Sequence, residues 1–339
     1  MILAGGIGSR FWPVSTPERP KQLLPLASAD PLIADTVARA TSLAPAERIR
    51  ILAGAHLVAP FKTALPDFPT DSYLVEPAVR GTCPVLTWAA WEVSRKDPDA
   101  VMVSLHSDHL IRPLDGFVET VAATAHLART EGFLCTIGVE PDRVETGYGH
   151  IQPGASLPLP GEGHAFRVAA FHEKPDAETA RRYVDQGYLW NTGIFVWKAS
   201  VFLDEVRRHA PEVADCLPLL ESDGPEAFFH AVPVCVVDRA VMERSDRVAC
   251  VRAAFTWDDV GSWEALHRTG TRDAAGNVVL GSARSVDASG NVVYSEDGEV
   301  VLFGVDDLVV VRTAQRTMVL PRSRAADLKT LLTALGEST

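Results

Sequence analysis

The chain has 339 residues, of which 47% are hydrophobic and 22% are charged, and its formal net charge is −12 at pH 7. This composition is typical of a globular protein with a large core, built as one large α/β domain with an appendage or as two ordinary domains. The acidic charge argues against a nucleic-acid partner, which requires a basic surface. A signal peptide and a long apolar run are lacking, and the five cysteines show no CxxC spacing. We therefore expect a soluble cytoplasmic protein with free thiols and no membrane partner.

Short β-rich runs alternate with helical stretches over the first two-thirds of the chain. The predicted strands are Ile49–Ala53, Ser72–Val75, Ala100–Leu105, Phe133–Val139, Phe166–Phe171 and Gly193–Trp197. The predicted helices are Pro31–Ser42, Pro84–Ser94, Leu114–Thr130, Ala177–Asp185 and Ala199–His209. This alternation predicts an α/β fold with a mainly parallel sheet covered by helices. Ligands of such sheets bind beyond the carboxyl ends of the strands, so we expect the chemistry there.

The two ends of the chain differ from this pattern. Residues 1–4 form the end of a buried strand, and because a strand usually spans about five or six residues, we expect either a short first strand or residues upstream of Met1. From Gly276 to Leu320 the chain consists of short valine-rich strands separated by Gly, Asn and Asp turns. We see no repeat long enough for a full β-solenoid there. We predict a catalytic domain over 1–270 and, over 271–339, a small β-rich domain that ends in a helix from Ser323 to Leu335. The second domain would serve as a structural or subunit-contact element, as in a homodimer.

A glycine-rich segment follows the first strand, and residues 3–22 read LAGGIGSRFWPVSTPERPKQ. Glycines in such a loop let backbone N–H groups approach phosphate oxygens. Arg10 and Lys21 add positive charge, and their spacing suits two sides of a triphosphate. No Lys-Ser or Lys-Thr follows the glycines, which excludes a P-loop, and Phe11 occupies the place of the third glycine of the dinucleotide fingerprint. A glycine cluster alone could be a simple turn, but its combination with these cations favours a nucleotide phosphate site.

Two acidic stretches are candidates for a metal site. Asp108 follows an apolar strand in SLHSDH, and Asp258 and Asp259 lie in WDDVGSW. Carboxylates brought together from distant positions can hold one Mg²⁺, although an aspartate at a strand end is also a common turn or capping residue. His106 and His109 flank Asp108, but mononuclear zinc normally requires three or four protein ligands. We therefore expect both histidines to be structural or hydrogen-bonding.

Three further motifs carry groups suited to a sugar phosphate: ETGYG, HEKP and WNTGIF. In the second, Glu173 can accept hydrogen bonds from sugar hydroxyls, and Lys174 can pair with a phosphate monoester. In the third, Asn191 offers an amide that donates and accepts, just before an apolar strand. Each motif alone could equally be an ordinary loop or a surface triplet.

The pattern GGxGxRxWPxSxxxxPKQ, followed in order by ETGYG, EKP, WNTGIF and DVGSW, resembles the mannose-1-phosphate guanylyltransferases (GDP-mannose pyrophosphorylases) over residues 2–270. The resemblance implies a Rossmann-like nucleotidyltransferase domain. It also implies a Mg²⁺-dependent reaction in which GTP and mannose-1-phosphate give GDP-mannose and diphosphate. The tail resembles the family's C-terminal β region more loosely. The further cupin domain of larger relatives is not expected in this chain.

The resemblance assigns roles to particular residues. The implied catalytic residues are Arg10, Lys21 and Asp108, and the implied metal ligands are Asp108 and Asp259. The implied nucleotide-binding residues are Leu3, Ala4, Gly5, Gly6, Gly8, Ser9, Glu76, Arg80, Thr82 and Ser107. The implied sugar-phosphate-binding residues are Gly147, Tyr148, Glu173, Lys174, Asn191 and Gly193.

One segment departs from the family pattern. The family usually has EPxxRNTAPA around the base, whereas this chain has EPAVRGTCPV, with Gly81 in place of Asn and Cys83 in place of Ala. Either selectivity for GTP is looser here, or Thr82 and backbone groups suffice to read guanine.

Three other functions fit parts of the sequence. A pyrophosphorylase for another hexose-1-phosphate would use the same motifs. A glycosyltransferase often has an Asp-x-Asp motif just after a strand, but the one match, Asp97–Asp99, precedes a strand. An inactive regulatory subunit would not need the charged groups that this chain retains, which are Arg10, Lys21, Asp108, Lys174 and Asp259.

Overall fold

The computed structural model describes residues 1–6, 8–159 and 163–337. The strands of its first part are β1 Ile2–Leu3, β2 Ile51–Gly54, β3 Tyr73–Glu76, β4 Val101–His106, β5 Leu110–Arg112, β6 Leu134–Val139, β7 Gly149–Leu157, β8 Ala165–Glu173, β9 Leu189–Lys198, β10 Val248–Arg252 and β11 Thr256–Asp258. Nine of these described strands form one sheet in the order β3-β2-β1-β4-β9-β6-β10-β8-β7, and β5 pairs with β11.

Most of the described helices cover this sheet, and the last two pack against the C-terminal part. The helices are α1 Leu32–Thr41, α2 Ala55–Ala64, α3 Thr82–Lys96, α4 Leu114–Glu131, α5 Ala177–Asp185, α6 Ala199–His209, α7 Pro211–Ala214, α8 Pro218–Ser222, α9 Gly224–Ala231, α10 Trp263–Thr269 and α11 Leu328–Leu335. Successive strand residues point to opposite faces. Accordingly, Ile2 and Ile51 pack towards α1, α2 and α4, and Leu3 and Leu52 pack towards α3 and α6. The sheet is therefore buried on both faces, as expected for a mainly parallel sheet.

The strand directions decide which side chains meet. Strands β1 to β4 are parallel, whereas β9 runs antiparallel to both β4 and β6. The start of β9 therefore lies at the same edge as the carboxyl ends of β1 and β4. The predicted α/β fold with a mainly parallel, mixed sheet is confirmed.

Several elements were not predicted. They are α2, α10, the short helices between Pro211 and Ala231, and the strands β5, β7, β10 and β11. The start that we predicted for β9, at Gly193, was also wrong, because Asn191 lies inside the strand and pairs with Gly138 of β6. Asn and Gly are depleted in strands, but pairing on both sides of β9 overrides that preference.

The C-terminal part contains β12 Val278–Leu280, β13 Ala283–Val286, β14 Val292–Ser295, β15 Val300–Phe303, β16 Leu308–Arg312 and β17 Thr317–Pro321. Strands β12, β14 and β16 stack in parallel, β13 and β15 form a second parallel pair, and β17 closes the stack in antiparallel pairing. The predicted β-rich region and closing helix are confirmed. The winding of these strands into a coil of stacked parallel β-strands, called the β coil below, was not predicted.

Buried asparagines mark the turns of this coil. The Nδ2 atom of Asn291 donates to Oδ1 of Asn277 at 2.9 Å, and the Leu308 N–H donates to Oδ1 of Asn291 at 2.9 Å. The two steps span 14 and 17 residues, so the repeat is too irregular to recognise in the sequence. Each asparagine satisfies backbone groups that the coil would otherwise bury unpaired.

The C-terminal part packs directly on the glycine-rich segment. Phe11 and Trp263 lie in edge contact with ring centroids 5.0 Å apart, and both belong to an apolar cluster with Val311 and Leu328. The Trp263 indole N–H donates to the main-chain oxygen of Trp12 at 3.2 Å. The loop that carries Arg10 and Lys21 is therefore supported from the C-terminal side. Among the described helices, none is both long enough and apolar enough to cross a membrane.

Candidate active site

The glycine-rich segment leaves the sheet after β1 and is tied down by its own side chains. Gly5 and Gly6 are exposed at the sheet edge. The Gln22 amide donates to the Gly6 carbonyl and the Ser15 hydroxyl to the Gly8 carbonyl, each at 2.7 Å. These bonds hold the loop in one shape, which suits a surface for phosphate oxygens.

Lys21 connects this loop to both acidic motifs. Its ammonium Nζ donates to Oδ2 of Asp108 at 2.9 Å and to the main-chain oxygen of Asp259 at 2.5 Å, and the side chain is nearly buried. Arg10 lies on a short 3-10 turn of the same loop, and its side chain is exposed. The structure thus brings Lys21, Asp108 and Asp259 together and leaves Arg10 accessible to a ligand.

The Asp108 carboxyl is held ionised. Burial alone would raise its pKa, but the Lys21 ammonium and the neighbouring His109 and His106 lower the pKa to about 2. The carboxylate follows β4, whose end pairs with β1 through His106 and Leu3. It is therefore an anionic oxygen donor at the sheet edge where ligands are expected.

The two adjacent aspartates of WDDVGSW point in different directions. Asp258 accepts from the Val260 N–H at 2.8 Å and forms an ion pair with Arg268 at 2.9 Å. Asp259 instead accepts from the Tyr148 hydroxyl at 2.6 Å through Oδ1. Asp258 ends β11 and Asp259 follows it, and successive side chains of an extended chain point to opposite sides. Asp259 is therefore the aspartate of this motif that faces the site.

These groups fit a hard divalent cation. Within the described part of the chain, Asp108 uses Oδ2 for Lys21 and Asp259 uses Oδ1 for Tyr148, which leaves one oxygen of each carboxylate for an ion. Burial and the Asp259 charge raise the pKa of Tyr148, so its hydroxyl keeps the proton that it donates. Mg²⁺ is commonly held by one or two carboxylates together with substrate phosphates.

The two histidines are less suited to a metal. Ligand atoms of His106, Asp108 and His109 all lie within 4.8 Å of one another. However, Nδ1 of His109 accepts a hydrogen bond from the Trp257 indole at 3.0 Å, which places the ring proton on Nε2. Burial lowers the pKa of both histidines. His109 therefore acts as a neutral hydrogen-bonding residue in this geometry.

The predicted sugar-phosphate residues gather around the starts of β7 and β9 and the end of β8. Asn191 is nearly buried, and its Oδ1 accepts from the Thr136 hydroxyl at 2.7 Å and from the Gly193 N–H at 3.1 Å. Lys174 pairs with Glu173 at 2.7 Å, and its side chain is 55% exposed. That exposure leaves the ammonium free to turn towards an arriving phosphate. Gly147 is exposed in the loop before β7.

The segment expected to read the base is attached to the protein by its own side chains. The Arg80 guanidinium donates to the Phe229 carbonyl at 2.7 Å, and Thr82 accepts from the Val237 N–H at 2.9 Å. Both side chains therefore have partners within the protein, and the contacts that we predict between them and a nucleotide stay predictions. Glu76 ends β3 beside Gly5, with Oε1 3.8 Å from where a Gly5 Cβ would lie. Ser107 is buried, and its N–H donates to the Leu3 carbonyl at 3.0 Å.

Gly81 has a structural reason to be glycine. Its φ is 84°, and a Cβ there would lie 2.3 Å from the Cys235 carbonyl oxygen. A side chain at this position would require the backbone to move, because real Cβ atoms do not approach so closely. The departure from the family pattern at Gly81 therefore accompanies a close approach of the segment at Cys235.

Two neighbours of the site were missed by sequence reasoning. Asp238 accepts from Nδ2 of Asn191 at 3.1 Å, and Glu243 accepts from the Glu173 N–H at 2.8 Å. Both lie on a segment without a recognisable motif. They reach the site only because β8 and β9 pack beside that segment, which no local pattern signals.

Both parts of the chain match known protein families. The family model described as Nucleotidyl transferase matches residues 1–276, and the model described as MannoseP isomerase/GMP-like beta-helix domain matches residues 281–335. The chain belongs to the nucleotidyltransferases, within the mannose-1-phosphate guanylyltransferase family. The predictions of family and enzyme class are confirmed.

Individual relatives cover nearly the whole chain. The mannose-1-phosphate guanylyltransferase of Salmonella muenchen is 35% identical over 343 residues, which cover 97% of this chain and 71% of that protein. The alginate biosynthesis protein AlgA of Pseudomonas aeruginosa is 33% identical over 340 residues, covering 97% and 70%. A crystal structure described as mannose-1-phosphate geranyltransferase from Thermus thermophilus has a TM-score of 0.90 at 33% identity and covers 99% of this chain and 98% of that one.

Proposed function

We propose that the chain transfers a guanylyl group from GTP to mannose-1-phosphate and forms GDP-mannose and diphosphate. The observation that carries this proposal is the buried Lys21 ammonium, which joins the glycine-rich loop to Asp108 and to the Asp259 segment. The names of the relatives support mannose and guanine. The sugar is further supported by Glu173 and Asn191, which offer hydrogen-bonding groups to hydroxyls at one end of the site.

The chemistry needs no covalent intermediate and no general base. An oxygen of the mannose-1-phosphate is already anionic and attacks the α-phosphorus of GTP. A new P–O bond forms, the bond from the α-phosphorus to the bridging oxygen breaks, and diphosphate leaves with the electron pair. The residues contribute by positioning and by neutralising charge, with Lys21 and Arg10 on the triphosphate and Lys174 on the sugar phosphate. Mg²⁺ held by Asp108 and Asp259 would supply further positive charge at the phosphates.

A substrate matrix tests the reaction. The enzyme is mixed with each of four nucleoside triphosphates and with mannose-1-phosphate or glucose-1-phosphate, and diphosphate release is measured. We expect GTP with mannose-1-phosphate to give the highest kcat/KM. Preference for another pair would assign a different pyrophosphorylase, and no release with any pair would favour an inactive subunit. Release of nucleoside diphosphate from a nucleotide sugar would indicate a glycosyltransferase.

The metal role is tested with Asp108→Asn and Asp259→Asn. Each removes one anionic oxygen donor, and we expect turnover to fall by at least ~100-fold. A readout independent of turnover is the binding of Mn²⁺ in the presence of GTP, followed by electron paramagnetic resonance. Asp99→Asn is the matched control, since Asp99 is exposed and pairs only with Lys198 in the described structure. Variants that bind Mn²⁺ as the wild type does would rule out these ligands.

Two wider expectations are part of the proposal. A cytoplasmic location is supported by the five cysteines, all of which are free thiols. A homodimer through the C-terminal part is supported by Val286 and Phe303, which pair across β13 and β15 and are largely exposed. Light scattering on the purified protein would measure the oligomeric state directly.

A further inference from the structure

Asp238 lies beside the proposed sugar-phosphate subsite, on a segment outside the motifs ETGYG, HEKP and WNTGIF. It begins a π-helical segment, Asp238–Met242. Its Oδ1 accepts a hydrogen bond from Nδ2 of Asn191, although the two residues are 47 positions apart. Short π-helical segments are frequent at functional sites.

The Asn191 amide is held at three of its hydrogen-bonding positions. Its Oδ1 accepts from the Thr136 hydroxyl and from the Gly193 N–H, and Asp238 accepts one of its two amide protons. A primary amide has two acceptor sites and two donor protons. One of the two Nδ2–H groups of Asn191 therefore remains for a ligand. The hydrogen bond to Asp238 determines which of the two it is.

The segment that carries Asp238 is fixed from the nucleotide side. The Val237 N–H donates to the Thr82 hydroxyl at 2.9 Å, and the Cys235 N–H donates to the Arg80 carbonyl at 3.0 Å. These bonds connect the backbone just before Asp238 to the start of α3. The carboxylate is thus positioned by tertiary contacts on both sides.

Acidic groups surround this position. Burial and the nearby Glu173 carboxylate raise the pKa of Asp238 to about 7, the Glu243 carboxylate acts in the same direction, and the Lys174 ammonium opposes them. A second anion would be repelled here, whereas neutral hydroxyl groups can donate to carboxylates. The surroundings therefore suit the hydroxyl-bearing ring of a substrate rather than its phosphate.

We propose that Asp238 is a positioning residue for the sugar ring: it orients the Asn191 amide so that the remaining N–H faces a ring hydroxyl. This inference rests on the proposed function, because it takes the ligand of Asn191 to be a hexose-1-phosphate. Asp238 itself takes no part in the transfer of the nucleotidyl group.

The test compares wild type with Asp238→Ala and Asp238→Asn. Loss of the acceptor in the alanine variant frees the Asn191 amide, and we expect KM for mannose-1-phosphate to rise about tenfold, since a buried hydrogen bond is lost and one amide N–H is left without its partner. KM for GTP and kcat should stay within about threefold of wild type. The asparagine variant keeps an acceptor oxygen of the same size and should restore most of the affinity. Asp204→Ala is a matched control, because Asp204 is exposed and pairs only with Arg207 among the described residues.

Calorimetric titration of each variant with mannose-1-phosphate reports binding without turnover when the nucleotide is a GTP analogue with a methylene group in place of the α,β-bridging oxygen, because the bond that breaks in the reaction is then absent. The expected result is a loss of affinity in Asp238→Ala and its recovery in Asp238→Asn. Unchanged affinity in the alanine variant would overturn the proposal, as would equal changes in both KM values and kcat. If wild type prefers glucose-1-phosphate, the proposed substrate is wrong, and the same variants decide the role of Asp238 with that ligand. If wild type binds neither sugar phosphate, both proposals fail.

Discussion

At the residue scale, the Lys21 ammonium is removed from water and held by one carboxylate and one main-chain carbonyl. A buried ammonium group needs a nearby anion to offset its lost hydration. Asp108 supplies that anion, and the same contact keeps the pKa of Asp108 low. The two charges are therefore mutually dependent, and removing either one leaves the other buried without compensation.

Lys21→Met tests this dependence. The substitution keeps an unbranched side chain of similar length but removes the charge, and we expect turnover to fall by ~100- to 1000-fold because charge on the triphosphate is no longer neutralised. Lys198→Met makes the same chemical change at a surface pair with Asp99 and should leave turnover within about twofold. Initial rates of diphosphate release at saturating substrates measure both. Equal rates in the two variants would contradict the role of Lys21.

Glu76→Gln tests a carboxyl whose burial costs stability. Burial raises the pKa of Glu76 from 4.5 to about 7. A raised folded-state pKa means that the folded protein binds the proton more tightly, so the contribution of Glu76 to stability falls as pH rises from 4.5 through 7. We expect Glu76→Gln to raise the free energy of unfolding by about 1 to 2 kcal/mol at pH 8, given partial exposure, and by nothing near pH 4.5.

Urea unfolding at both pH values measures this difference. If Glu76 also accepts hydrogen bonds from the base, KM for GTP should rise in the same variant while stability increases. A gain in stability that is the same at both pH values would exclude the ionisation of Glu76 as its cause.

At the element scale, β9 brings Asn191 to the site by running antiparallel to its neighbours and bending at its start. The pairing of β6 with β9 shifts register between Thr136 and Gly138. Gly193 has φ 70°, and a Cβ there would lie 2.7 Å from Nε2 of His106. The bend thus depends on a residue without a side chain next to the end of β4.

A comparison of Gly193→Ala with Gly187→Ala should separate the cost of a steric contact from the cost of backbone strain. Gly187 has φ 76°, but a Cβ there would meet nothing within 4 Å. Each alanine should cost about 1 to 2 kcal/mol for the left-handed conformation. Only Gly193→Ala should cost more and weaken sugar-phosphate binding, because His106 and the strand must move. Thermal unfolding and KM for mannose-1-phosphate are the measurements, and equal effects of the two variants would show that the contact with His106 is unimportant.

At the scale of the whole molecule, the C-terminal part completes the core beneath the glycine-rich loop. Leu328 at the start of α11 is buried in the same cluster as Phe11 and Trp263. Leu302 is equally buried, but its cluster lies within the β coil alone. The two leucines therefore distinguish support of the loop from stability of the C-terminal part.

Leu328→Ala and Leu302→Ala should each lower the free energy of unfolding by about 2 to 5 kcal/mol, through lost burial and the cavity left behind. Only Leu328→Ala should also raise KM for GTP, by several-fold, because the loop loses its support. Denaturant unfolding and steady-state kinetics below the unfolding transition measure the two effects. A normal KM in Leu328→Ala would show that the loop keeps its shape without this contact.

Much of the fold follows from local sequence pattern. The helices Ala177–Asp185 and Ala199–His209 were predicted at their observed bounds, because apolar positions recur at helical spacing there. The strand β10 and the β coil were not predicted. A strand in a sheet depends on its neighbours for half of its contacts, and those neighbours are distant in the chain.

By itself, the sequence determined the enzyme family and the kind of chemistry, because the ordered motifs place phosphate-, metal- and sugar-type groups after successive elements. Only the tertiary structure decided which groups are neighbours. It turned the Asp259 carboxylate towards Tyr148 and the Asp258 carboxylate towards Arg268, and it placed Asp238 beside Asn191. The physical reason is that two adjacent residues can belong to the same sequence motif while their side chains point in different directions. The alternation of side chains at the end of β11 and the antiparallel course of β9 set those directions.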